Sequence, residues 1–468
     1  MTHARNTLVL DIGKSNAKLV LIDPQGAVRW SAHCRNTTVE DATYGFRALG
    51  TARLADWIQR AMTQLPKGQA PGRIAITAHG AAFCALGDDG LVLPPIDYEW
   101  DGYGDVTAAF DASLANFSHH GTPRLPQGLN AGRQIDFVHR RWPDMAARIR
   151  ACLPYPQYWA WWFTGVACTE VSSLGCHTGL WAPGEARFSD WVSARGIAPR
   201  FASLRNAWDV IGTLRPSLSS AWGLPHDIEV IAGAHDSNAC LARYMREHPD
   251  AAVVSTSTWC IAMAPGGDTT RLAPQRDELV NVAVDGRPVA TARFMGGREF
   301  AGLCDGADPA WATANALEAV IDEGWMALPS FADSGGPFMG RRGLVLQHGE
   351  PVSGGVAAVP ERLRPAWAAL LCGTPAASQT VILEGPLANN EAFCAAMAGI
   401  LAPRPLWRST DELEGTARGA WMLAHWSEPP AEPADGQLAL VRPLGAAVRE
   451  RLRAHVHRWA ALVARSVP

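Results

Sequence analysis

The sequence predicts an α/β fold of duplicated topology, with two domains facing each other across a cleft. Three observations predict it. An apolar run, a small polar loop and a second apolar run open the chain, and the same series begins again at Ala251. Further β-type runs around a turn follow each opening. Between the two series, the apolar stretch Ile228–Ala232 delivers Gly233-Ala-His-Asp-Ser-Asn-Ala239 to the start of a helical pattern. Size agrees, because 468 residues that are 48% hydrophobic and 18% charged exceed one typical domain and can bury sizeable cores. The expected division is 1–243 and 244–468.

In order, Thr7-Leu-Val-Leu-Asp-Ile-Gly-Lys-Ser-Asn-Ala-Lys-Leu-Val-Leu-Ile22 reads as two strands around a polar loop. Asp11 ends the first strand, Gly13 eases the turn, and Lys14, Ser15 and Asn16 offer donors where a polyphosphate could lie. A carboxylate beside phosphate donors points to Mg²⁺, although a lone Asp-x-Gly also serves as an ordinary turn. Gly13-Lys14-Ser15 imitates the end of a P-loop, but position 8 is Leu and the chain continues as a strand (Lys18–Asp23), where a P-loop demands a helix. Lys18 reads as a solvated charge on that second strand.

A third strand is expected at Ala27–Cys34, a helix over 52–65, and a strand at Arg73–Ala78 ending in His79-Gly80. In the second half, Ala251–Val254, the loop Ser255-Thr-Ser-Thr258 and Trp259–Met263 repeat the opening. Strands 281–284 and 289–294 follow around Asp285-Gly286. Thr380–Gly385 reads as a strand, and 389–401 as a helix capped by Asn389. A Pro-rich linker over 428–436 precedes a final amphipathic helix over 445–467. Asp236 falls at a strand-to-helix junction, a place where side chains and free helix N–H groups meet a crevice; capping the following helix is its bland role.

A net charge of −4 and a pI near 6.4 give no basic footprint for nucleic acid. No run of about 18 uncharged apolar residues appears, and no apolar leader precedes the first strand, so a cytoplasmic protein without a membrane partner is expected. The ten cysteines are scattered singly and read as reduced, mostly core thiols. Cys168, Cys176 and His177 match no zinc spacing.

Taken together, the hairpin with Asp11, Gly233-Ala-His-Asp236, the turn at Thr258 and Glu384-Gly-Pro-Leu-Ala-Asn389 occur in the order found in the FGGY carbohydrate kinases. The chain resembles that family over nearly its whole length, closest to the deoxyketose kinases such as rhamnulokinases and fuculokinases. The resemblance implies two actin-like (ribonuclease H-like) domains binding ATP, Mg²⁺ and a sugar such as L-rhamnulose or L-fuculose, with a homodimer among the assemblies it admits. Asp236 then corresponds to the general base and lies beside sugar and metal, and Asp11 to the carboxylate that holds the Mg²⁺ of MgATP. Gly13, Lys14, Ser15, Ser257, Thr258, Gly296, Gly385 and Asn389 correspond to nucleotide-site positions, Asn389 with helix capping as an equal alternative. His79, Glu99, Trp100, Asp101 and Gln134, with Gln157 beside them, correspond to sugar contacts; core packing is the alternative for Trp100, and an ordinary loop histidine for His79.

The chain departs from the family at Ser257-Thr258-Trp259, where relatives have Gly-Thr-Gly, and at Glu384-Gly385, where they have Gly-Gly. Phe300 stands where a glutamine is frequent. These changes raise a rival reading, a catalytically weak sugar or nucleotide sensor. Kinases for another pentulose or polyol, and an actin-like or chaperone-like ATPase, complete the alternatives.

Overall fold

The computed structural model describes residues 5–332, 336–338, 340–372, 381–411, 413, 415–428 and 437–465. The chain forms two compact units. The first comprises Met1–Arg246 with Leu279–Val289 and Gly415–Pro433; the second comprises Glu247–Glu278, Ala290–Glu414 and Ala434–Pro468. Two stretches of the C-terminal half therefore pack with the N-terminal unit.

Unit 1 is organised on a sheet whose centre is β1 (Asn6–Ile12), flanked by antiparallel β2 (Asn16–Ile22) and parallel β4 (Pro71–Ala78); β3 (Val28–Arg35) follows β2. Leu8, Val9, Leu10 and Ile12 are buried on both faces, which is why β1 reads as a continuous apolar run. β3 instead alternates exposed and half-buried residues, the pattern of a strand covered on one face. On the far side of β4 lie the strand Glu229–Ile231 and the short β5 (Ala234–His235). The helix Asp236–Met245 starts directly after β5 and packs against the helix Gly415–Ala424, so closely that a Cβ on Gly419 would overlap the Ala239 carbonyl.

Unit 2 repeats this order. β6 (Ala252–Thr256) and β7 (Cys260–Ala264) form an antiparallel hairpin, and β8 (Pro288–Phe294) pairs with β7. β9 (Val381–Glu384) runs parallel to β6, with β10 (Leu406–Ser409) parallel beyond it. The helix Glu391–Leu401 buries Phe393, Ala396 and Met397 in the core below.

The second-half strand expected at 281–284 forms at Glu278–Val282, and the last helix spans Ala446–Arg465. Of the Pro-rich linker, 429–436 lies outside the described residues. All ten cysteines are unbridged, nine of them buried. Among the described residues, no helix is long and apolar enough to cross a membrane.

Candidate active site

Strand register gathers the first group of residues. Across β1, β4 and β5, Asp11 pairs with Thr77 and Thr77 with Ala234; one step on, Ile12 pairs with Ala78 and Ala78 with His235. The three chains leave the sheet together, so the Asp11 hairpin, His79 and Asp236 all emerge at one edge, at the carboxyl ends of the strands. Ligands of open α/β sheets bind there.

Asp11 is buried; its Oδ2 accepts from Thr416 Oγ1 at 2.7 Å and lies 3.7 Å from Lys18 Nζ. Lys18 is thus not the solvated charge expected but a half-buried cation directly across the hairpin from Asp11. In the loop, Gly13 N–H donates to Asn16 O at 2.9 Å, and Asn36 holds the Gly13 and Ser15 carbonyls. Ser15 is exposed. Lys14, expected at the phosphates, has its ammonium on Asp97, 3.6 Å from Glu99 Oε2 and 4.5 Å above the Tyr98 ring. The reason is charge: Asp97 is fully buried and takes both Lys14 and, at 2.6 Å, Arg47. Burial alone raises the Asp97 pKa, but these cations and the Glu99 N–H carry it below the usual carboxylate value.

Asp236 opens its helix without capping it in the usual way: its Oδ1 accepts from the N–H of the next residue, Ser237, at 2.6 Å, not from one two or three residues on. The side chain is 27% exposed, yet its surroundings withdraw the carboxyl from water and raise its pKa; His79 and the Ser237 hydrogen bonds pull the other way. Burial also lowers the pKa of His79, keeping the ring neutral. His79 Nδ1 lies 3.1 Å from the Gly80 carbonyl, and its buried Nε2 has no partner among the described residues.

Several other buried polar atoms near His79 are unpartnered. Gln134 donates to Ala81 O and Gly128 O at 2.6 and 2.8 Å, leaving its Oε1 bare, and the Tyr103 hydroxyl beside Gly128 is bare as well. Gln157 holds the Ala232 and Gly233 carbonyls at 3.1 and 3.0 Å, and its Oε1 is bare too. Such atoms cost folding free energy unless something hydrogen-bonds them.

Trp100 takes up the packing that was the alternative to a sugar contact, and stays partly exposed. It meets Phe46, Tyr103 and Phe137 edge-on, with centroids 6.0, 4.8 and 5.3 Å away, and so belongs to an aromatic core cluster. The aromatic ring beside His79 is Tyr98, 5.5 Å away. Glu99 is 43% exposed and Asp101 is exposed as well.

The second group lies at the matching edge of unit 2. Ser257 and Thr258 form the exposed tip of the β6–β7 hairpin, and Ser257 N–H donates to Trp259 O at 2.9 Å. Gly296 starts the helix Gly296–Cys304, whose second residue is pressed against the hairpin: a Cβ on Gly297 would overlap the Ser257 carbonyl. Gly385 follows β9 with φ +84°, and a Cβ there would overlap the Thr256 carbonyl. Thr256, missed by sequence reasoning, ties these loops together: its Oγ1 donates to Glu384 O at 2.6 Å and accepts from Leu387 N–H at 3.1 Å. Asn389 does not cap the helix that follows. Asn390 does, accepting from Phe393 N–H at 2.8 Å, while Asn389 is exposed and accepts from Arg408 at 3.2 Å. Trp259 lies under the Arg293 guanidinium, 5.1 Å away, and Phe300 packs on the core.

The model of the N-terminal domain of the FGGY family of carbohydrate kinases matches residues 6–242, and that of the C-terminal domain matches 248–433. The chain belongs to the FGGY family. A carbohydrate kinase from Novosphingobium aromaticivorans is 32% identical, with a TM-score of 0.84 over 99% of both chains. A xylulose kinase from Rhodospirillum rubrum shares the fold at 18% identity, TM-score 0.76, over 98% of both. The L-fuculokinase of Escherichia coli (strain K12) is 26% identical over 267 residues, 55% of this chain and 56% of that protein, so the match spans about half the length of the curated relative. The chain thus has the two-domain actin-like fold of this family.

Proposed function

We propose that the protein uses ATP to phosphorylate a hydroxyl of a neutral sugar, a ketose or deoxyketose such as L-rhamnulose or L-fuculose. The convergence of Asp11, His79 and Asp236 at one sheet edge carries this reading. The N-terminal domain, residues 1–243, takes the sugar and the phosphate hairpin, and the C-terminal domain, 244–468, takes the nucleotide. Similarity to L-fuculokinase supports the ketose side.

Phosphoryl transfer asks the protein to align a hydroxyl, spread charge and accept one proton. Asp236 is the base. A carboxyl withdrawn from water binds a proton more tightly than an exposed one, which brings it closer to the working pH of a general base. Neutral His79 presents Nε2 to a sugar hydroxyl. The bare oxygens of Gln134 and Gln157 can only accept, so they match hydroxyl donors and repel an acid. Ser257, Thr258 and the backbone at Gly296, Gly385 and Asn389 receive the nucleotide, and the Gly13–Ser15 loop faces its phosphates.

The donor set fits Mg²⁺. Asp11 and Asp236 come at the ends of the strands on either side of β4, and an ion that keeps most of its water needs few protein oxygens. Asp11, oriented by Thr416, would hold it with Asp236 nearby. When bound, the ion neutralises charge on the phosphates.

A screen of ADP release across ketoses, deoxyketoses, aldoses and polyols tests the reading. Release with one stereochemical class of ketose is expected. Binding of sugar and MgATP without release for any compound would instead favour the sensor.

A further inference from the structure

A cavity of about 280 Å³ opens between the end of β3 and the helix Thr51–Met62, and none of the residues assigned above to sugar, metal or nucleotide lines it. Arg53 lines it from the helix together with Asp56, Trp57 and Arg60, three, four and seven residues on and so along one face. Arg35 and Asn36 line it from the chain leaving β3. The two walls are pinned together. A Cβ on Gly50, just before the helix, would come within 2.6 Å of the Thr37 carbonyl, and Arg53 Nη1 donates to Thr37 Oγ1 at 3.4 Å.

The charge lining this cavity is uncompensated. Arg35, Arg53, Arg60 and Asp56 are exposed, and among the described residues none of them makes an ion pair. Other surface arginines of unit 1 have carboxylate partners: Arg5 has Asp227, Arg150 has Asp88, and Arg187 has Glu185 and Asp190. Three guanidinium charges and one carboxylate leave a net +2 at the cavity, in a chain whose own net charge is −4. A phosphate monoester, at about −1.5 to −2, matches that charge better than a carboxylate does, and guanidinium groups bind phosphate through paired N–H donors. Size limits the rest of the ligand. Small-molecule sites run from about 300 to 1,000 Å³, so this one suits a phosphorylated monosaccharide rather than a nucleotide. Half-buried Trp57 packs on the core of unit 1 and, among the described residues, pairs with no other ring or cation. Its indole is left to meet the C–H face of a sugar.

We propose that this cavity binds a monosaccharide phosphate at a site distinct from the active site, and that its occupancy is felt at the phosphate hairpin. The link is Asn36. It lines the cavity and holds the hairpin, donating from Nδ2 to Gly13 O at 2.8 Å and from its N–H to Ser15 O at 2.9 Å. The link rests on the reading that the Gly13–Ser15 loop faces the nucleotide phosphates; the binding site does not.

Isothermal titration of the full chain with D-fructose 1-phosphate, D-fructose and inorganic phosphate tests the site, with folding checked by thermal unfolding. The sugar phosphate should bind the wild type, and bind the double variant Arg53→Gln with Arg60→Gln at least about tenfold more weakly, as loss of hydrogen bonds to a charged group does. Asp56→Asn removes a repulsion and should tighten binding about twofold, a gain that damage to the fold would not give. Inorganic phosphate should bind more weakly with the same dependence on these substitutions, and fructose should show no such dependence. Failure of the sugar phosphate to bind, equal affinity for wild type and double variant, or weaker binding by Asp56→Asn overturns the site. Phosphate binding as tightly as the sugar phosphate overturns the sugar part of the ligand. For the link, D-fructose 1-phosphate should shift the Kd of MgATP about fivefold in the wild type and leave it unchanged in the double variant. An equal shift in both marks action at the active site and overturns the link, as does no shift while the sugar phosphate still binds. Absence of MgATP binding by the wild type overturns the nucleotide reading and the link with it, and the first titrations still decide the site.

Discussion

At the carboxyl ends of its central strands, unit 1 carries Asp11, His79 and Asp236, three titratable side chains; at the matching edge of unit 2 stand Ser257, Thr258 and the backbone of Gly296 and Gly385. Strand order is the same in both: an antiparallel hairpin, a third strand beyond it, and two parallel strands on the other side. The frame decides where chain ends converge, and the residues placed there decide what chemistry they do. Proton transfer and metal binding need charge partly withdrawn from water. Holding a polyphosphate needs many uncharged donors, for which backbone N–H groups beside glycine serve well.

The comparison predicts that damage to the two edges separates kinetically. The largest effect belongs to Asp236→Asn, which should cut kcat by about 10²–10⁴-fold while leaving MgATP affinity intact, as loss of a general base does. Isothermal titration of MgATP with the variant checks the second half. A matching loss of nucleotide affinity would mean that the two edges do not divide the work.

Burial also gives unit 1 a pH-dependent stability. Glu170 is fully buried, and its carboxylate takes the N–H and hydroxyl groups of Ser172 and Ser173 at 2.7–3.1 Å. Burial outweighs these bonds and pushes its pKa up to about 7 from 4.5. A raised folded-state pKa means that the folded form binds the proton more tightly. The stabilisation is therefore complete below about pH 4.5 and is lost as pH rises through 7, by up to about 3 kcal/mol. Denaturant midpoints from pH 5 to 8 should fall in the wild type and fall less in Glu170→Gln. Parallel curves would remove Glu170 from the account.

At the unit 2 edge proposed to take the nucleotide, Gly385→Ala forces a side chain into a positive-φ position against the Thr256 carbonyl, a strain of about 1–3 kcal/mol. The expected result is a KM for ATP raised about tenfold or more with the sugar KM unchanged. Equal changes in both constants would contradict a nucleotide-specific edge.

How much of this was legible follows from sequence distance. The two hairpins, Asp11 and the 233–239 loop were readable because strand periodicity and turn chemistry are local. Lys18 could have been placed correctly: a loop over 13–16 pairs position 12 with 17 and so 11 with 18. Lys14 could not, since its partner Asp97 is 83 residues away and inside a segment whose Trp100 drew attention first. Thr416 reaches Asp11 from 405 residues away, and Asn281 is linked to His235 through Asn238 across 43. No local pattern announces such contacts. The displaced helix cap, Asn390 in place of Asn389, is an error of one residue, within the usual ambiguity of helix ends.

Thr256 supplies the smallest test and the sharpest one. Hairpin geometry puts alternate residues on opposite faces, so the exposed Ser257 and Thr258 at the tip were the obvious candidates, while Thr256 points inward. From there its hydroxyl joins β6 to the loop after β9, bonding Glu384 O and Leu387 N–H. Thr256→Val keeps shape but removes both bonds, a cost of about 1–3 kcal/mol to stability. The loop carrying Gly385 should loosen, raising the KM for ATP by about threefold, with kcat at saturating ATP and the sugar KM unmoved. If kcat falls instead, the Thr256 bonds serve the chemical step, and the nucleotide edge is more than a passive holder of phosphate.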